Sequence, residues 1–305
     1  MTTGTETASQ DVAGYLARRR AEVDRALERL LPGPDEWPSR LHRAIRHSVF
    51  AGGKRLRPIL CLAAGGVLGA PTEELIEPAC GLEMIHTYSL IHDDLPALDD
   101  DDLRRGVPTC HVVFGEATAI LAGDSLLTHG LGVFAEYPRG DRFAAAKVRV
   151  LETVVAAIGT RGMIGGQVAD LEAEKESAPT AELVALIHEN KTGRLMRAAL
   201  LVGAILAGAD EDTLARVDRY GRRIGLAFQI KDDLLDVESD AATLGKASGK
   251  DAAAGKATFP AVWGVERSRQ LLAENVEAAV EAASGLPGGG GVLPDLARFV
   301  GNRKS

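Results

Sequence analysis

Apolar residues recur three and four positions apart along most of the chain: Leu16, Val23, Leu27 and Leu30 early, Leu183, Leu186 and Ile187 in the middle, and Leu214, Val217 and Ile224 later. This is the spacing of one buried helix face, and no segment shows a sustained alternation of the kind a half-buried strand requires. Proline and glycine clusters interrupt the pattern at 31–38 (LPGPDEWP), 69–71, 137–140, 177–180 and 285–291. Such clusters end helices, so the chain divides into roughly ten of them. None of the breaks is long enough to be a linker and no repeat of 20–50 residues appears, which predicts one all-α domain over residues 1–305. Residues 1–10 read as a frayed polar tail, and 285–291 as a flexible glycine-rich surface loop before a short helix around Leu293 to Val300.

Composition narrows the class. Hydrophobic residues make up 46% of the 305, aromatics only 4%, which suits helices rich in alanine and leucine. The net charge of -8 argues against a nucleic-acid partner, which would call for a concentrated basic surface. The longest apolar run, Ala198 to Ala209, has twelve residues, short of the roughly twenty a membrane span needs. No secretory signal opens the chain, and Cys61, Cys80 and Cys110 form no disulfide or metal spacing. The expectation is a cytoplasmic protein with buried thiols and no membrane span.

Against that background two acidic clusters stand out. Asp93, Asp94 and Asp99 lie in HDDLPALDDDD, directly after an apolar helix; Asp232, Asp233 and Asp236 lie in KDDLLD. Asp232 and Asp236, four apart, leave one helix face about 5.4 Å from each other. Like charges so placed among Leu234, Leu235 and Val237 call for a cation, and an all-oxygen donor set suits a hard ion such as Mg²⁺. Asp93 and Asp99, six apart, do not share a helix face; a kink or change of register at Pro96 is expected to bring them together. No EF-hand fits, because the central glycine and closing glutamate are missing.

Carboxylates awaiting Mg²⁺ imply a phosphate-bearing substrate, and the chain carries matching cations. GGKRLRP offers Lys54, Arg55 and Arg57 beside Gly52 and Gly53; Arg104 and Arg105 follow the first acidic cluster; NKTG contributes Lys191 and Thr192; Lys246 and Lys256 follow the second cluster. Guanidinium forks match phosphate oxygens. No P-loop motif is present.

These motifs, with MIHTYSLIHDD, AFQIKDDLLDV and LGKASGKDAAAGKATFP in that order, resemble those of the trans-isoprenyl diphosphate synthases of the polyprenyl synthetase family, the bacterial short-chain farnesyl and geranylgeranyl enzymes in particular. The resemblance implies an isoprenoid-synthase-type helical bundle around a deep central cavity, usually a homodimer, with the acidic motifs facing each other across its mouth. It implies that Asp93, Asp99 and Asp232 bind three Mg²⁺, for which Mn²⁺ substitutes, with Asp94, Asp233 and Asp236 assisting. Arg104, Lys191 and Lys256 would contact the allylic diphosphate with Lys246 nearby, Lys54, Arg57, His86 and Arg105 would hold isopentenyl diphosphate, and Thr192 and Gln229 would face the developing carbocation. The chemistry implied is head-to-tail condensation by ionisation, condensation and elimination, with no protein nucleophile.

Product length is read one turn before Asp93, at Tyr88 and Ser89. A tyrosine is a rigid plug, so a fifteen-carbon farnesyl product is expected, with a geranylgeranyl synthase as the alternative. A class I terpene cyclase would carry an Asn/Ser/Glu-type second motif in place of DDLLD, and a non-catalytic partner subunit would lack one of the two motifs.

Overall fold

The computed structural model describes residues 4–173, 180–243 and 258–303. Among these the chain is helical: α1 (Gly4–Leu30), α2 (Ser39–Val49), α3 (Leu56–Val67), α4 (Thr72–Asp93), α5 (Cys110–Phe114), α6 (Glu116–Glu136), α7 (Ala144–Ile158), α8 (Met163–Ala173), α9 (Ala181–Ile187), α10 (Arg194–Leu206), α11 (Glu211–Thr243), α12 (Phe259–Trp263), α13 (Val265–Ser284) and α14 (Leu293–Asn302). A single π-helical turn, His188–Gly193, joins α9 to α10. The one strand pair among the described residues is a two-residue hairpin, Leu103–Arg104 against Val107–Pro108.

The proline and glycine clusters at 31–38, 69–71, 137–140 and 285–291 fall between helices as the pattern predicts, while 177–179 lie outside the described residues. α1 begins at Gly4, and the chain at Pro287–Gly290 makes a tight turn, with Gly288 and Gly289 in the left-handed region and Gly290 buried. A Cβ on Gly290 would come within 2.4 Å of the Ala283 carbonyl oxygen, so glycine there serves close packing.

The core forms around α4, which runs against α6, α3, α10 and α1. Its faces are apolar nearly all round, with Leu75, Leu82, Met84 and Ile85 fully buried, as a central helix requires. Each such side chain contributes about 1.5–3 kcal/mol by leaving water. Small residues bring the backbones together: a Cβ on Gly203 of α10 would lie 2.1 Å from the Cys61 carbonyl oxygen of α3. All three cysteines are buried and unpaired.

By length and composition, α6 alone among the described helices is apolar enough to cross a bilayer. It packs on α4 through Ala119, Ala122, Leu126 and Phe134, all fully buried. The longest helix, the 33-residue α11, spans about 50 Å at 1.5 Å per residue and carries Gln229 and the second acidic motif toward its C-terminal end.

Candidate active site

The first acidic motif sits where α4 ends. The helix stops at Asp93, three residues before Pro96, instead of kinking at the proline as expected. Proline disfavours helical geometry in the residue before it, so the chain leaves the helix early and turns. The turn closes when the Asp99 N–H donates to the Asp93 carbonyl oxygen at 2.9 Å, and the Asp100 N–H to that of Leu95 at 3.2 Å. The two aspartates six apart are thereby brought together by a hydrogen-bonded ring.

The three carboxylates then meet different fates. Burial, with the charges of Asp99 and Asp94, pushes Asp93 up to about 6 despite the opposing pull of Lys191 and Arg104. Asp94 is buried and accepts from Arg104 Nε at 2.5 Å, which fastens the hairpin to the end of α4. Burial also raises Asp94, although Arg104 counteracts it.

Consecutive residues on α11 point about 100° apart, and the second motif divides accordingly. Asp232 pairs through Oδ1 with Arg303 at 2.7 Å. Burial lifts its pKa, against the pull of Arg303 and Lys54. Asp233 is buried; its Oδ2 accepts the Phe259 N–H at 2.8 Å and lies 3.2 Å from His188 Nε2. Asp236 is exposed, Asp232 half-buried and Asp233 buried, so the three do not all face bulk water, as the apolar neighbours require. Gln229 lies on the same helix, one turn before Asp232.

The NKTG segment is the π-turn. Lys191 Nζ donates to Asp170 Oδ2 of α8 at 2.7 Å. Burial works against the ammonium charge, but Asp93 and Asp170 outweigh it and raise the lysine. Lys191 thus stands between Asp93 and Asp170, with Thr192 beside it on the turn. Gly166 of α8 packs on the turn's backbone, where a Cβ would come 2.3 Å from the Lys191 nitrogen.

Lys54 and Arg57 of GGKRLRP and Arg105 of the hairpin line a cleft of about 500 Å³ together with Arg20, Glu83, His86 and Phe228. Gly52 and Gly53 have φ of +96° and +131°, conformations open to glycine, and Arg105 Nη1 donates to the Gly52 carbonyl oxygen. Arg57 Nε is buried without a protein partner. Burial and the Arg105 charge push Arg57 down to about 10, so it remains a cation at neutral pH. Burial, with Arg303 and Arg105, also lowers Lys54. Burial and four neighbouring arginines hold His86 far below the ordinary histidine range, so it meets a ligand as neutral imidazole. Arg55, counted from sequence among the cleft cations, turns inward instead: it bonds Glu83 Oε1 at 2.9 Å, Asp24 Oδ1 at 2.8 Å and the Val49 carbonyl at 2.7 Å.

Tyr88 is 6% exposed and meets His92 edge to face at 5.6 Å, five residues before Asp93 on α4. Ser89 donates to the His86 carbonyl oxygen at 2.8 Å, so its hydroxyl is turned back onto the helix. Lys246 and Lys256 lie outside the described residues.

Three residues escaped the sequence reading. Asp170 and Gln167 fall in an unremarkable run, GGQVAD, and only the fold places them against the NKTG turn; the Gln167 Nε2 is buried without a partner. Arg303 reaches Asp232 from the far end of the chain, donating as well to the Phe228 carbonyl at 2.9 Å. No local pattern distinguishes it.

The donor set fits a hard divalent cation. Asp93, Asp94 and Asp99 crowd one turn, where burial and like charges raise Asp93 against the pull of Lys191 and Arg104. No three His, Cys, Asp or Glu side chains among the described residues converge on one point, and Asp232 is paired with Arg303.

An all-helical protein that presents two acidic motifs beside a cation-lined cleft belongs to the class that handles diphosphates with divalent metals. The comparisons narrow this to one family. The polyprenyl synthetase family model matches residues 38–285. A farnesyl diphosphate synthase from Bacillus subtilis is 41% identical over 275 residues, covering 90% of this chain and 92% of the relative. A geranylgeranyl diphosphate synthase from Cyanophora paradoxa is 45% identical over 291 residues, covering 95% and 96%. The crystal structure of an FPP/GFPP synthase from Zymomonas mobilis superposes with a TM-score of 0.85 at 33% identity, covering 95% of this chain and 99% of that one. The chain belongs to the polyprenyl synthetase family and is a prenyltransferase of the trans-prenyl diphosphate synthase type.

Proposed function

We propose that this enzyme condenses isopentenyl diphosphate with dimethylallyl and then geranyl diphosphate to give farnesyl diphosphate. The observation that carries the product length is Tyr88: a buried, rigid ring on α4, five residues or about 7.5 Å along the helix before Asp93.

Asp93, Asp99 and Asp232 would hold Mg²⁺, with Asp94, Asp233 and Asp236 outside them or bridged by water. The bound metal would supply charge that stabilises the departing diphosphate. Lys191 and Arg104 add positive charge at the same place, with Lys246 and Lys256 assigned there from the motif order. Preorganised cations of this kind lower the cost of the negative charge that develops as the allylic C–O bond ionises. Lys54, Arg57, Arg105 and neutral His86, lining the 500 Å³ cleft, orient isopentenyl diphosphate. The unpartnered Arg57 Nε is a donor without an acceptor in the protein, which supports an anionic ligand there. Thr192 and Gln229 would offer their oxygens to the cation. The proton lost after carbon–carbon bond formation passes to the released diphosphate.

Exposed apolar side chains on α5, α6 and α7, Val112, Val113, Ile120, Leu121, Val148 and Val155, support a homodimer buried across those helices.

The test is incubation of the wild type and Tyr88→Ala with Mg²⁺, isopentenyl diphosphate and each allylic primer, with products separated by length. Farnesyl diphosphate from the wild type and longer products from the variant are expected. A twenty-carbon wild-type product would establish the alternative carried by the Cyanophora relative's name; unchanged length in the variant would remove Tyr88 from the role.

A further inference from the structure

We propose that Asp233 is a positioning residue, which fixes the Lys191–Thr192 turn against Asp232 by gripping His188 and the start of α12, and that it does not ligate metal directly. This rests on the reading that Asp232 is a metal ligand.

The geometry separates two adjacent carboxylates. The Asp232 side chain is 37% exposed; that of Asp233 is 6% exposed and points about 100° away around α11. An isolated carboxylate so deeply buried is costly unless it is hydrogen-bonded or paired; its hydrogen-bond donor, the Phe259 N–H, and the His188 ring beside it lie on other elements, and His188 Nε2 has no hydrogen-bond partner of its own. Phe259 N–H donates to Oδ2 at 2.8 Å, and His188 Nε2 stands 3.2 Å from the same oxygen. The His188 ring stacks on Phe259 with centroids 5.2 Å apart, and Phe259 on Trp263 at 4.7 Å. One oxygen and three stacked rings therefore join α11, the π-turn and α12.

The consequence for the site comes from the π-turn. His188 is its first residue, three before Lys191 and four before Thr192. The other side of the turn is held by α8, through the Lys191–Asp170 ion pair and the backbone approach at Gly166. At Gly225 of α11 a Cβ would lie 3.2 Å from the Gly193 Cα, so backbone packs on backbone at the turn's end. Held at both ends, the turn has no independent freedom. Asp233 is the side chain that ties the first residue of this turn to α11 next to Asp232.

The proposal is tested by kcat, KM and the Mg²⁺ dependence of turnover for Asp233→Asn, Asp233→Ala, His188→Ala, the last two combined, and Asp232→Asn. Asparagine can still accept from Phe259 and contact His188, so Asp233→Asn should retain more turnover than Asp233→Ala and keep the wild-type Mg²⁺ midpoint. Asp233→Ala and His188→Ala should each lose roughly ten- to hundred-fold in kcat, the range seen when supporting partners of a metal site are removed. The double variant should be no worse than the poorer single one, because both substitutions break one contact. Asp232→Asn should raise the Mg²⁺ requirement. If Asp233→Asn raises it as much as Asp232→Asn, or if His188→Ala turns over like the wild type, the proposal is overturned. Should Asp232→Asn leave the requirement unchanged, the metal reading fails while the His188–Asp233 coupling still decides this one. Melting curves identify any variant that does not fold, and His188→Asn then replaces it.

Discussion

Replacing Asp93 by asparagine should make the metal-free protein more stable while destroying its turnover. Asp93 is raised from an ordinary 3.8 to about 6, chiefly by burial and then by the crowding of Asp99 and Asp94. A folded-state pKa above the unfolded one means that the folded chain holds the proton more tightly. The resulting stabilisation is complete below the ordinary value and is lost as pH rises through about 6. The difference of about 2 pH units, at 1.36 kcal/mol per unit, corresponds to roughly 3 kcal/mol. Because the side chain still reaches solvent in part, screening reduces this to about 1–2 kcal/mol. Asparagine keeps the shape and does not ionise, so urea unfolding with a chelator present should show that gain at pH 7.5, shrinking toward zero near pH 4. Mg²⁺ with inorganic diphosphate should then stabilise the wild type more than the variant. A variant less stable than wild type at pH 7.5, or a gain independent of pH, would refute the reasoning that the metal relieves a strain built into the apo site.

Glu83→Ala, which removes the fully buried one of Arg55's two carboxylates and leaves it the half-exposed Asp24, should cost up to about 3–5 kcal/mol in chemical denaturation; Arg55→Met with Glu83→Leu should recover part of it. Tyr220→Phe removes the hydroxyl that donates to the Leu293 carbonyl oxygen at 2.8 Å and should lower stability by about 1–2 kcal/mol with little change in KM. Arg57→Gln should raise KM for isopentenyl diphosphate about tenfold or more, the scale of a charged hydrogen bond, and change KM for the allylic substrate much less.

What the chain discloses by itself is local. The helical period, the breaks at 31–38 and 137–140 and the pairing of acidic with basic motifs are written in neighbouring residues, and the fold follows them. The resemblance then identifies the family, which the 38–285 match establishes. Side-chain direction is another matter. Lys54, Arg55 and Arg57 look alike in sequence, yet Arg55 alone turns into the core, because Glu83 and Asp24 on other helices await it. Asp232 and Asp233 are neighbours with different surroundings for the same reason. Pro96 signals that the helix is disturbed, but that α4 ends before it, and that the Asp99 N–H closes a ring on Asp93, depend on backbone geometry that no spacing rule supplies. Asp170 and Arg303 were invisible because their partners are distant in the chain.

The contacts of Arg303 place the site in time as well as in space. It meets the Phe228 carbonyl across 75 residues of chain, and Tyr220 meets Leu293 across 73. A chain emerging from the ribosome can collapse α3, α4, α6 and α10 into a core long before either tie exists, because domains build from what has already been made. The acidic half of α11 must wait until residue 303 has been made before its guanidinium partner arrives. The helices that give the enzyme its shape can therefore form early, while the electrostatics of the active site are completed only after them.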